Sequence, residues 1–104
     1  MSGLDNTSMT TRAVTATTTM TQNDYVLLCD PSGGAITVNL LAVAAVQPGR
    51  PIWIRSTGTT NAVTIDGAGS ETIDGATTLV LASGAKHGVG LVSDGVAWFT
   101  ISSF

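Results

Sequence analysis

The segment Ala35–Leu40 alternates strictly, with Ile36, Val38 and Leu40 apolar and Thr37 and Asn39 polar between them. A period of two marks a β-strand that buries one face. Thr77–Ala82 repeats the pattern, and the nearly continuous apolar run Tyr25–Asp30 predicts a strand covered on both sides. Pro31-Ser32-Gly33-Gly34, between the first two of these strands, has the composition of a turn. Leu41–Val46, closed by Gln47-Pro48-Gly49, predicts a helical turn too short to stand alone. Pro51–Thr57 reads as a strand with proline at its first residue, where the missing N–H is tolerated. Ala62–Asp66 and Glu71–Asp74 predict two short strands, each ending in Asp-Gly. A third such pair, Asp94-Gly95, separates Lys86–Ser93 from Val96–Ser102 and predicts a hairpin. Thr-Ile-Asp-Gly occurs twice, at Thr64 and Thr72. Two copies are too few for a solenoid and read as two similar strand ends.

Short strands at spacings of about ten residues point to a sandwich or barrel. The expected fold is all-β: a small antiparallel, sandwich or jelly-roll-like domain of about eight short strands. The length of 104 residues allows one domain. Met1–Met9 is polar and aperiodic, and Thr10–Thr21 is nearly all Thr, Ala, Val and Met, with too little apolar surface to pack alone. Residues 1–21 are therefore expected to be an extended attachment arm, with Thr10, Arg12, Val14 and Met20 as its contacts, and residues 22–104 the β domain.

Several strands carry large or apolar groups on both faces. Ile52 and Ile54 oppose Trp53 and Arg55; Trp98 and Thr100 oppose Phe99 and Ile101; Val89 and Leu91 oppose Gly88, Gly90 and Val92. A half-exposed sheet in a monomer should have one polar face. The second apolar face then calls for another chain, and Trp53, Arg55, Gly88, Gly90 and Val92 are the expected subunit interface, the bare glycines admitting a neighbour's backbone. A closed sandwich with some strands buried on both sides is the alternative from periodicity.

Composition narrows the function classes. Charged residues make up 11% of the chain, against about 25% in ordinary soluble domains. Lys86 and Glu71 are the only lysine and glutamate, so hydroxyls rather than charges cover the surface. The net charge is −3, and Arg12, Arg50, Arg55 and Lys86 are scattered, which disfavours nucleic acid and acidic membranes as partners. No apolar run approaches the roughly 20 residues of a membrane span. The start Met1-Ser2-Gly3-Leu4-Asp5 has neither the basic nor the apolar region of a signal peptide, so synthesis in the cytoplasm is expected. Cys29, the single cysteine, cannot form an intrachain disulfide.

The inventory for catalysis is thin. Cys29 and His87 could pair as nucleophile and base, but Cys29 falls in a strand that reads as buried, where a thiol packs rather than reacts. Ser83 or Ser93 could join His87 and an aspartate, yet no serine lies in a nucleophile-elbow sequence. Asp66, Glu71 and Asp74 could place carboxylates on neighbouring turns, for glycoside cleavage or a calcium ion; turn aspartates more commonly cap their own backbone. The reading is a non-enzyme with no catalytic residue, metal or cofactor.

The stretches Asp24–Asp30, Gly33–Val38, Gly49-Arg50, Asn61–Ile65, Thr72–Ala76 and Leu91–Trp98 together resemble a short β module of bacteriophage tail fibres, tailspikes and capsid-associated fibres. The resemblance runs from about Ala13 to Ile101, on turn and core signatures that carry no chemistry. It departs at Leu41-Ala42-Val43, where the module often has a proline after the leucine, and at Trp53, where a smaller apolar residue is common. It implies a homotrimeric, β-rich structural unit of a virion, made in the host cytoplasm. A capsid decoration or head-fibre protein, attached through its N-terminal arm to the major capsid protein or another virion component, is the first expectation. A tail-fibre tip binding a host-surface receptor through exposed aromatics (Trp53, Trp98, Tyr25) is the alternative.

Overall fold

Alternation of β-branched and hydroxyl residues dictates strands, and the computed structural model, which describes residues 10–104, contains nine of them. They are β1 (Thr10–Val14), β2 (Thr18–Thr19), β3 (Asp24–Cys29), β4 (Ile36–Asn39), β5 (Ile52–Ser56), β6 (Val63–Asp66), β7 (Thr78–Leu81), β8 (Gly88–Ser93) and β9 (Trp98–Ser103). One sheet has five strands in the order β1-β3-β5-β8-β9; the other has four, β2-β4-β6-β7. The only helical pieces among the described residues are single 3-10 turns at Pro31–Gly33 and Val43–Ala45.

The sheets are mixed, not antiparallel as expected. β1, β3 and β5 pair in parallel, as do β2, β4 and β6. The reason lies in the connections. After β1, β3 and β5 the chain turns a corner into the opposite sheet instead of reversing in a hairpin. The next strand to return to a sheet therefore runs in the same direction as the last. Each corner continues the ladder: Asp30 N–H donates to Val14 O at 2.8 Å, and Thr57 N–H to Cys29 O at 2.7 Å. At the first 3-10 turn, the Asp30 carboxylate accepts from Ser32 N–H at 3.1 Å. The result is three stacked two-strand coils. Between the second and third, the offset is 27 residues in both sheets: Val26 lies against Trp53, and Ile36 against Val63.

Antiparallel pairing is confined to the last third, where β7 folds back on β6, and β8 and β9 complete the larger sheet. The Asp94-Gly95 hairpin is present, with the Asp94 carboxylate accepting from Val96 and Ala97 N–H at 2.9 Å and Gly95 at φ +94°. The strand expected at Glu71–Asp74 is reduced to single bridges from Ile73 to Ala76 and to Trp98.

The core lies between the sheets. Leu27, Cys29, Ile52, Ile54, Val89, Leu91 and Trp98 fill it from the five-stranded side; Ile36, Val38, Leu40, Val63, Ile65 and Leu81 fill it from the other. Val14 and Met20, 4% and 2% exposed, belong to the same core. Residues 10–21 thus form the first coil rather than part of a separate arm, which corrects the boundary expected after Thr21. Two large apolar side chains, each contributing roughly 1.5–3 kcal/mol on burial, together with a parallel ladder to β3 and β4, hold this coil on the sheets. Residues 1–9 lie outside the described residues.

Candidate functional site

Cross-strand partners share a face of a sheet, so the registers define what each outer surface presents. On the four-stranded sheet, Thr37, Thr64 and Val80 form one outward row, and Thr19, Asn39, Asp66 and Thr78 the next. This side is a polar lattice of hydroxyls. On the five-stranded sheet, the outward rows are Thr11–Val26–Trp53–Gly90–Ser102 and Ala13–Leu28–Arg55–Gly88, with Val92 opposite Phe99 beyond them. Phe104 extends the second row, exchanging backbone hydrogen bonds with Gly88 at 2.9 Å in both directions. This side is apolar and aromatic. Phe99 and Phe104 are 42% and 54% exposed; Ile101, the extra residue at a bulge in β9, is 53% exposed.

The strands with two apolar faces, β5, β8 and β9, are adjacent in this one sheet. All five expected interface residues lie on its outer face, but the glycines play a different part from the one expected. The Trp53 indole lies over Gly90, so that a Cβ there would come within 2.4 Å of Cζ3. The Phe104 ring covers Gly88 in the same way, with Cε2 and Cζ 2.6 Å from the position of a Cβ. The chain's own rings therefore fill the space expected to admit a neighbour's backbone, because bare glycine leaves room for an aromatic from the next strand. The Arg55 guanidinium stands 5.4 Å from the Phe104 ring centroid, within cation–π range. Val92 is half-buried beside Phe99.

The four residues expected in an arm are ordered parts of the sandwich. Thr10 pairs with Asp24 at the start of β1. Val14 and Met20 are core, and Arg12 closes an ion pair with Asp24 at 2.8 Å. The Asp24 carboxylate also accepts from Thr21 N–H at 2.8 Å. Burial alone would raise its pKa, but the Arg12 guanidinium and the Thr21 N–H outweigh burial and hold the carboxyl below its ordinary value. The pair clamps the first coil to the second.

Three other titratable groups serve local structure. Burial pushes the Cys29 thiol up to about 11, so at neutral pH it is a protonated packing group. The Glu71 carboxylate accepts from Val43 N–H at 3.0 Å. Asp74 accepts from Thr100 N–H at 3.1 Å and from its hydroxyl at 2.6 Å. Among the described residues no group of three or more His, Cys, Asp or Glu side chains converges as a metal site would require. Two surface clefts, of about 260 and 240 Å³, fall below the roughly 300 Å³ at which small-molecule sites begin. The first runs beside His87, Leu79, Leu81 and Phe104; the second lies between Gln22, Val46 and Arg50. Of the aromatics that could contact a receptor, Trp98 is 1% exposed and belongs to the core, while Trp53 and Tyr25 are half-buried.

Sequence reasoning did not pick out Val26, Leu28 or Phe104 for the outer face. Val26 and Leu28 alternate with the core residues Leu27 and Cys29, but a continuous apolar run conceals which residues face which way. The chain matches no protein-family model and no curated protein.

Proposed function

We propose that this chain is a non-enzymatic structural protein of a bacteriophage particle, working as a homotrimer in the manner of a capsid decoration or head-fibre protein. The observation that carries the assembling role is the contrast between the two outer faces, one a lattice of threonines and the other a sheet of Val, Leu, Trp and Phe. The same chain, with the same composition to draw on, covers one side with hydroxyls and leaves the other apolar. That is the distribution of a protein whose second side is buried by another chain. The trimeric number and the virion setting rest on the resemblance to phage fibre modules. Attachment to the capsid falls to the N-terminal segment ahead of β1.

Two measurements test this. Light scattering on the purified protein is expected to give the mass of three chains, and a single-chain mass refutes the assembling role. Deleting residues 1–9, which leaves all nine described strands in the chain, is expected to leave the trimer intact and abolish binding to empty capsids. A deletion as far as Thr21 is unsuitable, because it would strip Val14 and Met20 from the core.

A further inference from the structure

We infer that copies of this chain meet one another through the outer face of the five-stranded sheet, with the Trp53 and Phe104 rings, seated on Gly90 and Gly88, at the centre of the contact. This rests on the assembling role proposed above and adds which surface does the work and what covers it.

Three features of the face select a second copy. The first is size. The molecule is a slab, 22 Å thick against 37 and 35 Å, so each broad side is the outer face of one sheet. An extent of 37 by 35 Å leaves room for the ~800 Å² per partner that a standard stable interface buries. Phe99, Ile101 and Phe104 are each about half exposed, at 42%, 53% and 54%.

The second is charge. The outward rows hold one formal charge, Arg55, and it stands over the Phe104 ring of its own chain. Aromatic groups with arginine and few other charges make up the core of protein–protein contacts. With no pattern of charges to select a foreign partner, the face is complementary to a surface as apolar as itself. Among the described residues, the only broad side of that kind is this one.

The third is closure. Only one of the two broad sides is largely apolar, and the other presents Thr37, Thr64, Asn39 and Asp66, with Val80 its one exposed apolar side chain in those rows. Three copies that turn their apolar sides inward to a common threefold axis use that side up and present hydroxyls outward, so the assembly closes at three instead of growing into a stack.

The test uses the full chain and two kinds of variant. Val26→Lys and Phe99→Lys each place a charge on the apolar face, at positions half-buried and exposed in the single chain, so the core is untouched. Thr37→Lys and Thr64→Lys place the same charge on the hydroxyl face. Light scattering is expected to show the first pair falling to the mass of one chain, and the second pair keeping the wild-type mass. Circular dichroism checks that all four are folded. Acrylamide quenching gives a second readout. Trp98 is buried in the single chain, so a several-fold gain in quenching when the assembly dissociates reports Trp53 coming into water. If Val26→Lys and Phe99→Lys keep the wild-type mass, this face is not the contact, although the assembling role stands. If they keep the mass but lose capsid binding, the face belongs to a foreign partner and the inference fails. If the wild-type protein itself has the mass of one chain, the assembling role fails first.

Discussion

Gly90→Ala isolates the feature on which the outer face is built. Gly90 lies in the middle of β8 and is not among the residues with positive φ, so alanine meets no backbone barrier there. In a strand, replacing such a glycine with alanine stabilises by about 0.4–1 kcal/mol, because the unfolded chain has less freedom to lose. Here the new Cβ would meet Trp53 Cζ3 at 2.4 Å, Cε3 at 2.7 Å and Cη2 at 2.8 Å. The indole must then lift off β8 or leave its rotamer, an overpacking cost of about 1–3 kcal/mol. The clash therefore outweighs the entropic gain, and Gly90→Ala is expected to destabilise by about 1–2 kcal/mol, a fall in melting temperature of roughly 4–15 °C for a domain of this size. The assay is reversible denaturant unfolding at fixed protein concentration, since the proposed assembly would make apparent stability depend on concentration. It is run as a double-mutant cycle with Trp53→Val. Without the indole, the alanine should become neutral or stabilising, giving a coupling of about 2 kcal/mol. A Gly90→Ala protein as stable as wild type, or a cycle with no coupling, would refute the claim that the glycine exists to seat the ring.

Further outcomes follow from the titratable groups. Asp24, held below its ordinary pKa by Arg12 and Thr21, binds fewer protons folded than unfolded; its contribution is present above the unfolded value near 3.9 and lost as pH falls through the lower folded value. Asp24→Asn should cost about 1–3 kcal/mol at neutral pH and flatten the loss of stability below about pH 4 in acid titrations of unfolding. Cys29 carries the opposite sign. With its folded pKa raised to about 11, its contribution is full below the unfolded value near 9 and declines between the two values. At neutral pH the thiol should resist a disulfide reagent in the folded protein and react fully in denaturant; rapid reaction in the native state would contradict its place in the core.

The apolar period made individual strands and the β8–β9 hairpin legible, along with the observation that three strands carry two apolar faces. It did not reveal strand direction. Alternation is the same for parallel and antiparallel neighbours, and direction depends on whether a connection is a hairpin or a corner. The clue present in the chain was the 27-residue offset, in which Ala35-Ile36-Thr37-Val38-Asn39 recurs as Ala62-Val63-Thr64-Ile65-Asp66. It is easily passed over because the other half of the coil has diverged: Val26-Leu27-Leu28 lies against Trp53-Ile54-Arg55. The shorter Thr-Ile-Asp-Gly echo, at eight residues, draws attention away from it. The packing of β1 and β2 was hidden for another reason. Val14 and Met20 look sparse among threonines, yet two core side chains suffice when neighbouring strands supply the hydrogen-bond ladder.

The glycines of β8 connect the fold to the proposed assembly. An open five-stranded face with large side chains at every outward position would be corrugated, and one with small residues throughout would bury too little area to hold a partner. Placing glycine opposite an aromatic gives a third surface, in which the ring lies flat and is fixed by the strand beneath it. A chain with few charged side chains has little repulsion with which to keep an apolar face from indiscriminate association. In the proposed assembly, selectivity would rest instead on shape, on rigid rings that fit one partner well and others poorly. Any change that tilts Trp53 should therefore weaken the single chain and the contact between chains together, whereas a change in the threonine lattice should affect neither.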